Sequence, residues 1–300
     1  MPQNPQQQRR RRRQALLKAR GVTNDPSEFA WLCRNTNRIG IVAEGDSWFS
    51  YPKKWLLSGP NANILDHISS VLVGRDKVNL LRLESNGDEA VEMIAGDQKH
   101  TLAEVLKKNG PQVRLLLFSG GGNDVVGKWD MERLLKTHEP GFTAADCIHQ
   151  DRLKRKLKRI GLAYEELLEL RDEYAPDTLI ITHTYDLLQP SDRGASFLWG
   201  AIRTKPWIHP YLVDKGIPES LHLDIVTALL EPLRDALTVI ANRPRYRRNF
   251  FVVDTQGTLR PGNRRDWLNE IHPTPAGFKK ITRRIWDQAR ALEPGLPALR

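Results

Sequence analysis

Short apolar runs alternate with amphipathic stretches along the chain, and this alternation predicts strands and helices in turn. The apolar runs predict strands at residues 38–43, 78–84, 113–118, 178–182 and 249–254. Helical spacing of apolar side chains predicts helices at residues 62–72, 89–94, 102–108, 151–174, 219–242 and 275–292. Strands that alternate with helices at this spacing indicate βαβ units, which form a parallel sheet with helices on both faces.

One α/β domain accounts for most of the 300 residues. We expect it to span residues 21–300, with two irregular, aromatic-bearing excursions from the sheet at about 127–146 and 189–218. We expect residues 1–20 to be a basic, disordered tail, because they are polar and contain proline. Within this tail, residues 14–20 have the pattern of a short helix.

The positive charge of the chain is concentrated in that tail. The formal net charge is +10, and seven basic residues with no acidic ones lie in the first 20 positions, which leaves about +3 for the rest. The unbroken run from Arg9 to Arg13 would suit nucleic acid or an anionic membrane. A solvated tail is the simpler interpretation, and the chain has no zinc, helix-turn-helix or aromatic RNA-binding motif. We therefore expect no nucleic-acid partner.

The cysteines and the apolar runs favour a cytoplasmic protein. Cys33 and Cys147 lie far apart and fit neither a disulfide framework nor a metal-ligand spacing. No signal peptide precedes the domain, and no apolar run reaches the roughly 20 residues of a membrane span. We expect free thiols, no transmembrane segment and no bound metal.

Polar residues and glycines collect directly after the predicted strands. They are Glu44-Gly45-Asp46-Ser47, Ser85-Asn86-Gly87-Asp88, Ser119 to Asp124, His183-Thr184-Tyr185-Asp186 and Asp254-Thr255, and a later loop carries Asn269 to Pro273. In an open parallel sheet, ligands bind outside the carboxyl ends of the strands. These groups are therefore predicted to meet in one cleft.

This set of residues has the parts of a nucleophilic site. A serine hydroxyl needs an adjacent base to attack at neutral pH, and His272 is the best candidate to activate Ser47. The backbone N–H groups of Ser47 and Gly87 and the amide of Asn123 are candidate donors to a developing oxyanion. Each residue also has a simpler interpretation, as a turn former or a helix cap, so the prediction depends on their occurring together and in order.

At these residues the sequence resembles the GDSL/SGNH hydrolases. The four blocks that carry the resemblance are Gly45-Asp46-Ser47-Trp48, Gly87, Gly121-Gly122-Asn123-Asp124 and Asn269-Glu270-Ile271-His272-Pro273. The resemblance covers about residues 38–290 and implies a three-layer α/β/α sandwich with a mostly parallel five-stranded sheet. It also implies hydrolysis of a small-molecule ester or thioester without a metal or organic cofactor.

Carried over position by position, the resemblance also implies a role for each residue. Ser47 would be the nucleophile and His272 the general base. Ser47, Gly87 and Asn123 would form the oxyanion hole.

One position departs from the family pattern, because Asn269 stands where the family has an aspartate three residues before the histidine. A neutral amide can orient an imidazole but cannot stabilise the imidazolium by charge. Three outcomes stay open at this point. Asn269 or a backbone carbonyl orients the ring, or Asp266 or Glu270 replaces the missing acid, or the activity is weak or lost. The last outcome would make the chain a binding protein on a hydrolase scaffold.

Several other residues are candidates for the walls or the support of the cleft. Residues 183–186 would either contact the substrate, or support the catalytic loop, or form only a hydrogen-bonded strand end, which is the simpler interpretation. Trp48, Phe49 and Tyr51 would either line a pocket beside the serine or fill the core. The aromatics in the two excursions would form apolar walls if those segments cover the cleft; they are Trp129, Trp199, Trp207 and Tyr211.

Overall fold

Parallel strands alternate with helices throughout the chain. The computed structural model describes residues 5–51, 61–192, 194, 196–197, 202–203 and 206–299. The strands are β1 (Val22–Thr23), β2 (Ile39–Gly45), β3 (Val78–Arg82), β4 (Val113–Ser119), β5 (Leu179–His183), β6 (Ser196–Phe197), β7 (Ile202–Arg203) and β8 (Phe250–Val253). The helices are α1 (Pro5–Arg20), α2 (Pro26–Asn35), α3 (Ser47–Ser50), α4 (Ile64–Leu72), α5 (Ala90–Met93), α6 (Gly96–Asn109), α7 (Gly122–Val126), α8 (Lys128–Leu134), α9 (Gln150–Tyr174), α10 (His209–Asp214), α11 (His222–Ala241) and α12 (Pro275–Leu292).

The central sheet has six strands in the order β1-β3-β2-β4-β5-β8, and every neighbouring pair is parallel. Ala43 of β2 pairs with Leu117 of β4, which pairs in turn with Ile181 of β5. These three side chains are buried, because helices cover both faces of the sheet. All six strands end at the same edge, and the polar segments predicted to meet therefore follow one another along it.

Two layers of helices enclose the sheet. In one layer α2 packs on α6, α6 on α9 and α9 on α11, while α4 packs on α12 in the other. The long helix α9 buries one stripe along its length, at Leu153, Ile160, Tyr164 and Leu167. This arrangement confirms the predicted three-layer α/β/α class.

The predicted strand count was wrong by one. The additional strand is β1, whose two residues pair with Leu80 and Leu81 at the edge of the sheet. A segment of two residues is too short to show a period of two, so the apolar pattern carries no signal for it. The interior strands and most of the long helices lie within a few residues of their predicted bounds.

The predicted disorder of the N-terminal segment was also wrong for most of its length. Residues Pro5–Arg20 form α1, which contacts α2 through an ion pair between Arg13 and Glu28 at 2.6 Å. Glutamine and arginine are good helix formers because straight side chains lose little rotamer freedom in a helix. Low hydrophobicity therefore did not exclude local structure in this segment.

The two excursions contain short regular elements. Helix α8 lies in the first, and the antiparallel pair β6–β7 and helix α10 lie in the second. Trp199, a predicted cleft wall, lies outside the described residues. Of the helices described, none combines the length and the apolar character needed to cross a bilayer.

Candidate active site

The turn that follows β2 holds Ser47 at the carboxyl edge of the sheet. The side chain of Asp46 accepts a hydrogen bond from the backbone N–H of Trp48 at 3.0 Å and thereby caps the short helix that Ser47 begins. Gly45 lies so close to β4 that an added Cβ would sit 2.8 Å from the Cβ of Ser119. Glycine is therefore required here, and the close approach places Ser47 over the centre of the sheet.

His272 reaches Ser47 from a turn near the end of the chain. Its Nε2 lies 2.9 Å from Ser47 Oγ, and the two residues are only 4% and 5% exposed. Burial lowers the pKa of His272 to about 3, so the ring is neutral at neutral pH. A neutral imidazole beside a serine hydroxyl can act as an acceptor for its proton.

Asn269 fixes the orientation of the His272 ring. Its Oδ1 accepts hydrogen bonds from the backbone N–H groups of Ile271 at 3.1 Å and His272 at 2.8 Å, so the amide oxygen faces the turn. The same oxygen lies 3.3 Å from Nδ1 of His272. Because an amide oxygen can only accept, Nδ1 must carry the ring proton and Nε2 is left to accept from Ser47.

The two carboxylates considered as substitutes for the missing acid bind elsewhere. Asp266 accepts from Lys280 Nζ at 2.6 Å and from the Arg260 backbone N–H at 3.0 Å. Burial alone would raise the pKa of Asp266, but these partners outweigh it and lower the pKa below its ordinary value. Among the described side chains of this turn, Asn269 is therefore the one that contacts the His272 ring.

Glu270 is fully buried and holds the second excursion. Its carboxylate accepts four backbone hydrogen bonds, from Ser191 at 3.1 Å, Ile208 at 3.1 Å, His209 at 2.7 Å and also Trp207. Burial raises the pKa of Glu270, although these four donors oppose the rise. No local pattern predicts this role, because the donors lie about 60 to 80 residues away along the chain.

Aromatic rings enclose the imidazole. The Tyr51 ring lies 4.1 Å from the His272 ring between centroids, and Trp207 meets it edge-on at 5.8 Å. The Asn269 amide also donates to the Tyr51 hydroxyl at 3.4 Å. Two of the predicted wall aromatics, Tyr51 and Trp207, thus help to exclude water from the His272 ring. By contrast, Phe49 is in the core and Trp129 is 64% exposed.

A buried polar network supports the serine turn from behind. The Tyr185 backbone N–H donates to Nδ1 of His183 at 3.2 Å, so Nε2 of His183 donates to the Ser119 hydroxyl at 2.9 Å. Ser119 and the Tyr185 hydroxyl then donate to the two oxygens of Asp46, at 2.9 Å and 2.5 Å. Burial raises the pKa of Asp46 to about 6, although these hydrogen bonds oppose the rise. The strand end at residues 183–186 therefore positions the serine turn.

The segment that carries Asn123 is hydrogen-bonded to the loop that carries Gly87, at the predicted oxyanion hole. The side chain of Asn123, which lines a small cleft together with Ser47, donates to the Asp88 carbonyl at 2.9 Å. Asp124 accepts from the Ala90 backbone N–H at 2.6 Å, and the Ser85 N–H donates to the Gly45 carbonyl at 2.9 Å. The loop between β3 and α5 is thereby fixed on both sides.

Gly87 lies in that loop with a φ of 94°, a left-handed conformation that favours glycine. Within the described ranges its N–H has no hydrogen-bond partner, so the group is free to bind a ligand. The cleft beside Ser47 has a volume of about 10 Å³, which is room for roughly one water molecule. Over the same ranges, no group of three or more His, Cys, Asp or Glu residues could hold a metal ion.

Solved structures share this fold. A lipase from a goat rumen metagenome aligns with 85% of this chain and 97% of its own, at 14% identity and a TM-score of 0.50. An extracellular lipase from Streptomyces rimosus has 17% identity over 84% of this chain and 99% of its own, with a TM-score of 0.49. A carbohydrate esterase family 3 protein from Talaromyces cellulolyticus has 12% identity over 86% of this chain and 100% of its own, with a TM-score of 0.46. No protein-family model matches the sequence, and no curated protein matches it by sequence comparison.

Proposed function

We propose that this protein is a serine-dependent hydrolase of carboxylic esters, in which Ser47 forms an acyl-enzyme and His272 transfers the proton. The observation that supports this most strongly is the 2.9 Å contact between Ser47 Oγ and His272 Nε2, on a ring whose Nδ1 faces Asn269. The fold shared with the goat rumen lipase agrees with an ester substrate.

In the first half of the reaction, Ser47 Oγ attacks the carbonyl carbon of the ester while Nε2 of His272 takes the hydroxyl proton. The negative charge on the carbonyl oxygen is stabilised by the N–H groups of Ser47 and Gly87 and by the Asn123 amide. The carbon–oxygen bond to the alcohol then breaks, and the leaving oxygen receives the proton from Nε2. Ser47 is left as an acyl ester.

In the second half, water attacks the acyl carbon and gives its proton to Nε2. The bond to Ser47 Oγ breaks, the serine recovers the proton, and the carboxylic acid leaves. The same imidazole thus acts as base and then as acid in each half.

Asn269 explains how His272 can act as a base although the aspartate of the GDSL/SGNH pattern is missing. Replacing the aspartate of a Ser-His-Asp triad by asparagine can cost about 10⁴ in rate when the amide selects the wrong tautomer. Here the two backbone N–H groups that bind Oδ1 keep the amide oxygen towards Nδ1, which selects the productive tautomer. The imidazolium still lacks a carboxylate, so its charge is balanced mainly by the adjacent oxyanion.

The same neutral amide favours a second candidate, a non-catalytic binding protein on this scaffold. A buried His272 with a pKa of about 3 resists protonation, and the described cleft holds little more than one water. This candidate predicts binding of an ester or acid without turnover.

The predicted cytoplasmic location and the predicted lack of a cofactor and of a nucleic-acid partner stay predictions.

Chromogenic esters of increasing acyl length, together with a fluorophosphonate probe, test the proposal. The wild-type protein is expected to hydrolyse one of the series and to be labelled on Ser47, whereas Ser47→Ala does neither. Ser50→Ala is the matched control, because it removes a hydroxyl from the same short helix. Among the described residues, the partner of that hydroxyl is the Asp46 carbonyl, at 3.1 Å. Equal rates for the wild type and Ser47→Ala would overturn the proposal, and absence of both labelling and turnover would favour the binding protein.

A further inference from the structure

A strongly cationic groove lies between α8 and α9, outside the site described above. Its volume is about 370 Å³. Its lining contains five cations, Leu134 and the single carboxylate of Asp130; the cations are Arg133, Arg152, Arg155, Lys156 and Arg159. Such a lining suits an anion far better than an apolar or cationic ligand.

The charges of α9 are divided along its length, and the acidic half has more ion-pair partners than the basic half. Six of the residues from 152 to 159 are basic, and five carboxylates follow between residues 165 and 173. Carboxylates of the second half pair with cations of other elements: Glu165 with Arg243 at 2.7 Å, Asp172 with Arg245 at 2.9 Å, and Glu166 with Lys99.

The basic half has fewer partners. Lys156 pairs with Asp130 at 2.7 Å, and Arg152 donates to the Arg133 carbonyl at 2.7 Å. Over the part of the chain that the structure describes, Arg155 and Arg159 make no ion pair, although they are one helical turn apart and repel each other. The fold thus concentrates positive charge here, and within the described residues its internal carboxylates, Asp130 and Glu89, pair with Lys156 and not with Arg155 or Arg159.

The groove adjoins the cleft beside Ser47. Val126 lines the cleft and Asp130 lines the groove, and four residues of chain span at most about 14 Å. Lys156 Nζ also lies 3.8 Å from Glu89, which follows directly on Asp88, the residue whose carbonyl binds Asn123. A ligand of moderate length can therefore occupy both places.

We propose that the α8–α9 groove is a subsite for the phosphate or carboxylate groups of the substrate, so that the molecule hydrolysed is an anionic ester. The assignment of the bound anion to the substrate rests on the proposed function, whereas the anion site itself does not. Guanidinium groups bind such oxyanions through two parallel hydrogen bonds, which places the anionic end firmly while the ester reaches Ser47.

Calorimetric titration of the full-length protein with inorganic pyrophosphate tests the site without requiring turnover. Arg155→Ala/Arg159→Ala is expected to weaken binding at least 10-fold. Lys154→Ala/Lys158→Ala is the matched control, because it removes the same charge from the same helix at residues that do not line the groove. It should change binding no more than 3-fold. Lack of binding to the wild type, or an equal loss in both double variants, would overturn the proposal.

Kinetics then test the link to the ester. Two chromogenic esters of equal length are compared, one ending in a carboxylate and one in its neutral amide. The preference in kcat/KM for the anionic ester should fall at least 10-fold in Arg155→Ala/Arg159→Ala and persist in the control. An unchanged preference would overturn the assignment to substrate. If Ser47→Ala binds pyrophosphate but no form of the protein has turnover, the proposed hydrolysis fails while the anion site stands.

Sedimentation with vesicles distinguishes a lipid headgroup from a soluble anion. Retention on phosphatidylglycerol vesicles that is lost in Arg155→Ala/Arg159→Ala, and that pyrophosphate competes away, assigns the headgroup. Pyrophosphate binding without retention assigns a soluble ester.

Discussion

The indole N–H of Trp48 donates a hydrogen bond to the carbonyl oxygen of Ile271 at 3.1 Å. This contact joins the residue that follows Ser47 to the residue that precedes His272, across 223 positions of sequence. The same indole stacks on His183 at 5.4 Å between ring centroids. Trp48 therefore ties the two halves of the candidate site together on a rigid support.

We expect Trp48→Phe to lower kcat about 5- to 10-fold, because it removes one buried hydrogen bond of about 1 kcal/mol that positions His272. The phenyl ring keeps the stacking on His183, so folding should be preserved. Steady-state kinetics with a chromogenic ester measure the change. A Trp48→Phe protein with wild-type kcat would show that the turn holds His272 without this contact.

Asn269→Asp should retain or raise kcat, because a carboxylate accepts the same two backbone N–H groups and also stabilises the imidazolium. It should raise the pKa of His272 above its present value of about 3. Since the neutral ring is the proposed base, the acid limb of the kcat/KM profile should move to higher pH. A pH–rate profile for both proteins measures this.

The control for that change is Asp266→Asn, which should leave kcat nearly unchanged and lower the melting temperature through loss of the Lys280 pair. Asn269→Ala, in contrast, should lower kcat by about 10²-fold, in line with loss of general-base positioning. A collapse of kcat in a well-folded Asn269→Asp protein would mean that the amide N–H, which binds Tyr51, is required.

Glu270→Gln should release the segment that covers His272. In the wild type, backbone N–H groups share the Glu270 carboxylate. In Glu270→Gln the side-chain NH₂ faces some of these donors, and each donor left unpaired costs about 1–3 kcal/mol. With Trp207 displaced, water reaches the imidazole and its pKa rises. An NMR titration of the His272 ring measures this, and an unchanged titration in a stable variant would argue against the role of Glu270.

Glu44→Gln should remove a pH dependence of stability. Burial, with small additions from Asp88 and Glu84, raises the pKa of Glu44 to about 8. The folded state thus binds this proton more tightly than the unfolded state. The free energy of unfolding should therefore fall as the pH rises from about 4.5 to 8, by up to roughly 5 kcal/mol.

Urea unfolding at a series of pH values measures this slope. Glutamine keeps an oxygen to accept from the Gly45 N–H, now at 3.0 Å, and cannot ionise, so the variant should show a flatter profile. Identical slopes for the wild type and Glu44→Gln would show that another group carries the dependence.

The sequence predicted what depends on local pattern. The strands β2 and β4 are long apolar runs. The polar residues that follow them can be recognised because the hydrophobic pattern of the sequence changes there. The edge strand β1 was not predicted, because two residues are too few to show a hydrophobic period. For α1, the apolar pattern predicts a helix only at residues 14–20, because the arginine- and glutamine-rich residues before them have no apolar periodicity.

The partners of the candidate site were less predictable. Ser47 and His272 were identified from their motifs, but the roles of Glu270 and Ser119 depend on contacts between distant segments. A glutamate beside a motif histidine has the same local signature whether it faces the ring or turns away from it. Only the packing of the second excursion decides that Glu270 binds backbone N–H groups.

The uneven neutralisation of α9 has an effect that extends beyond its own surface. The helix runs back from the carboxyl ends of the strands, so its uncompensated cations lie at the same edge as Ser47, while the paired carboxylates lie at the opposite end. The electrostatic potential around the protein is therefore more positive at this edge than at the opposite one, over distances of about one Debye length, roughly 8–10 Å at physiological salt. A negatively charged molecule that diffuses nearby should be drawn first to the edge that holds Ser47, and added salt should slow its association with that edge.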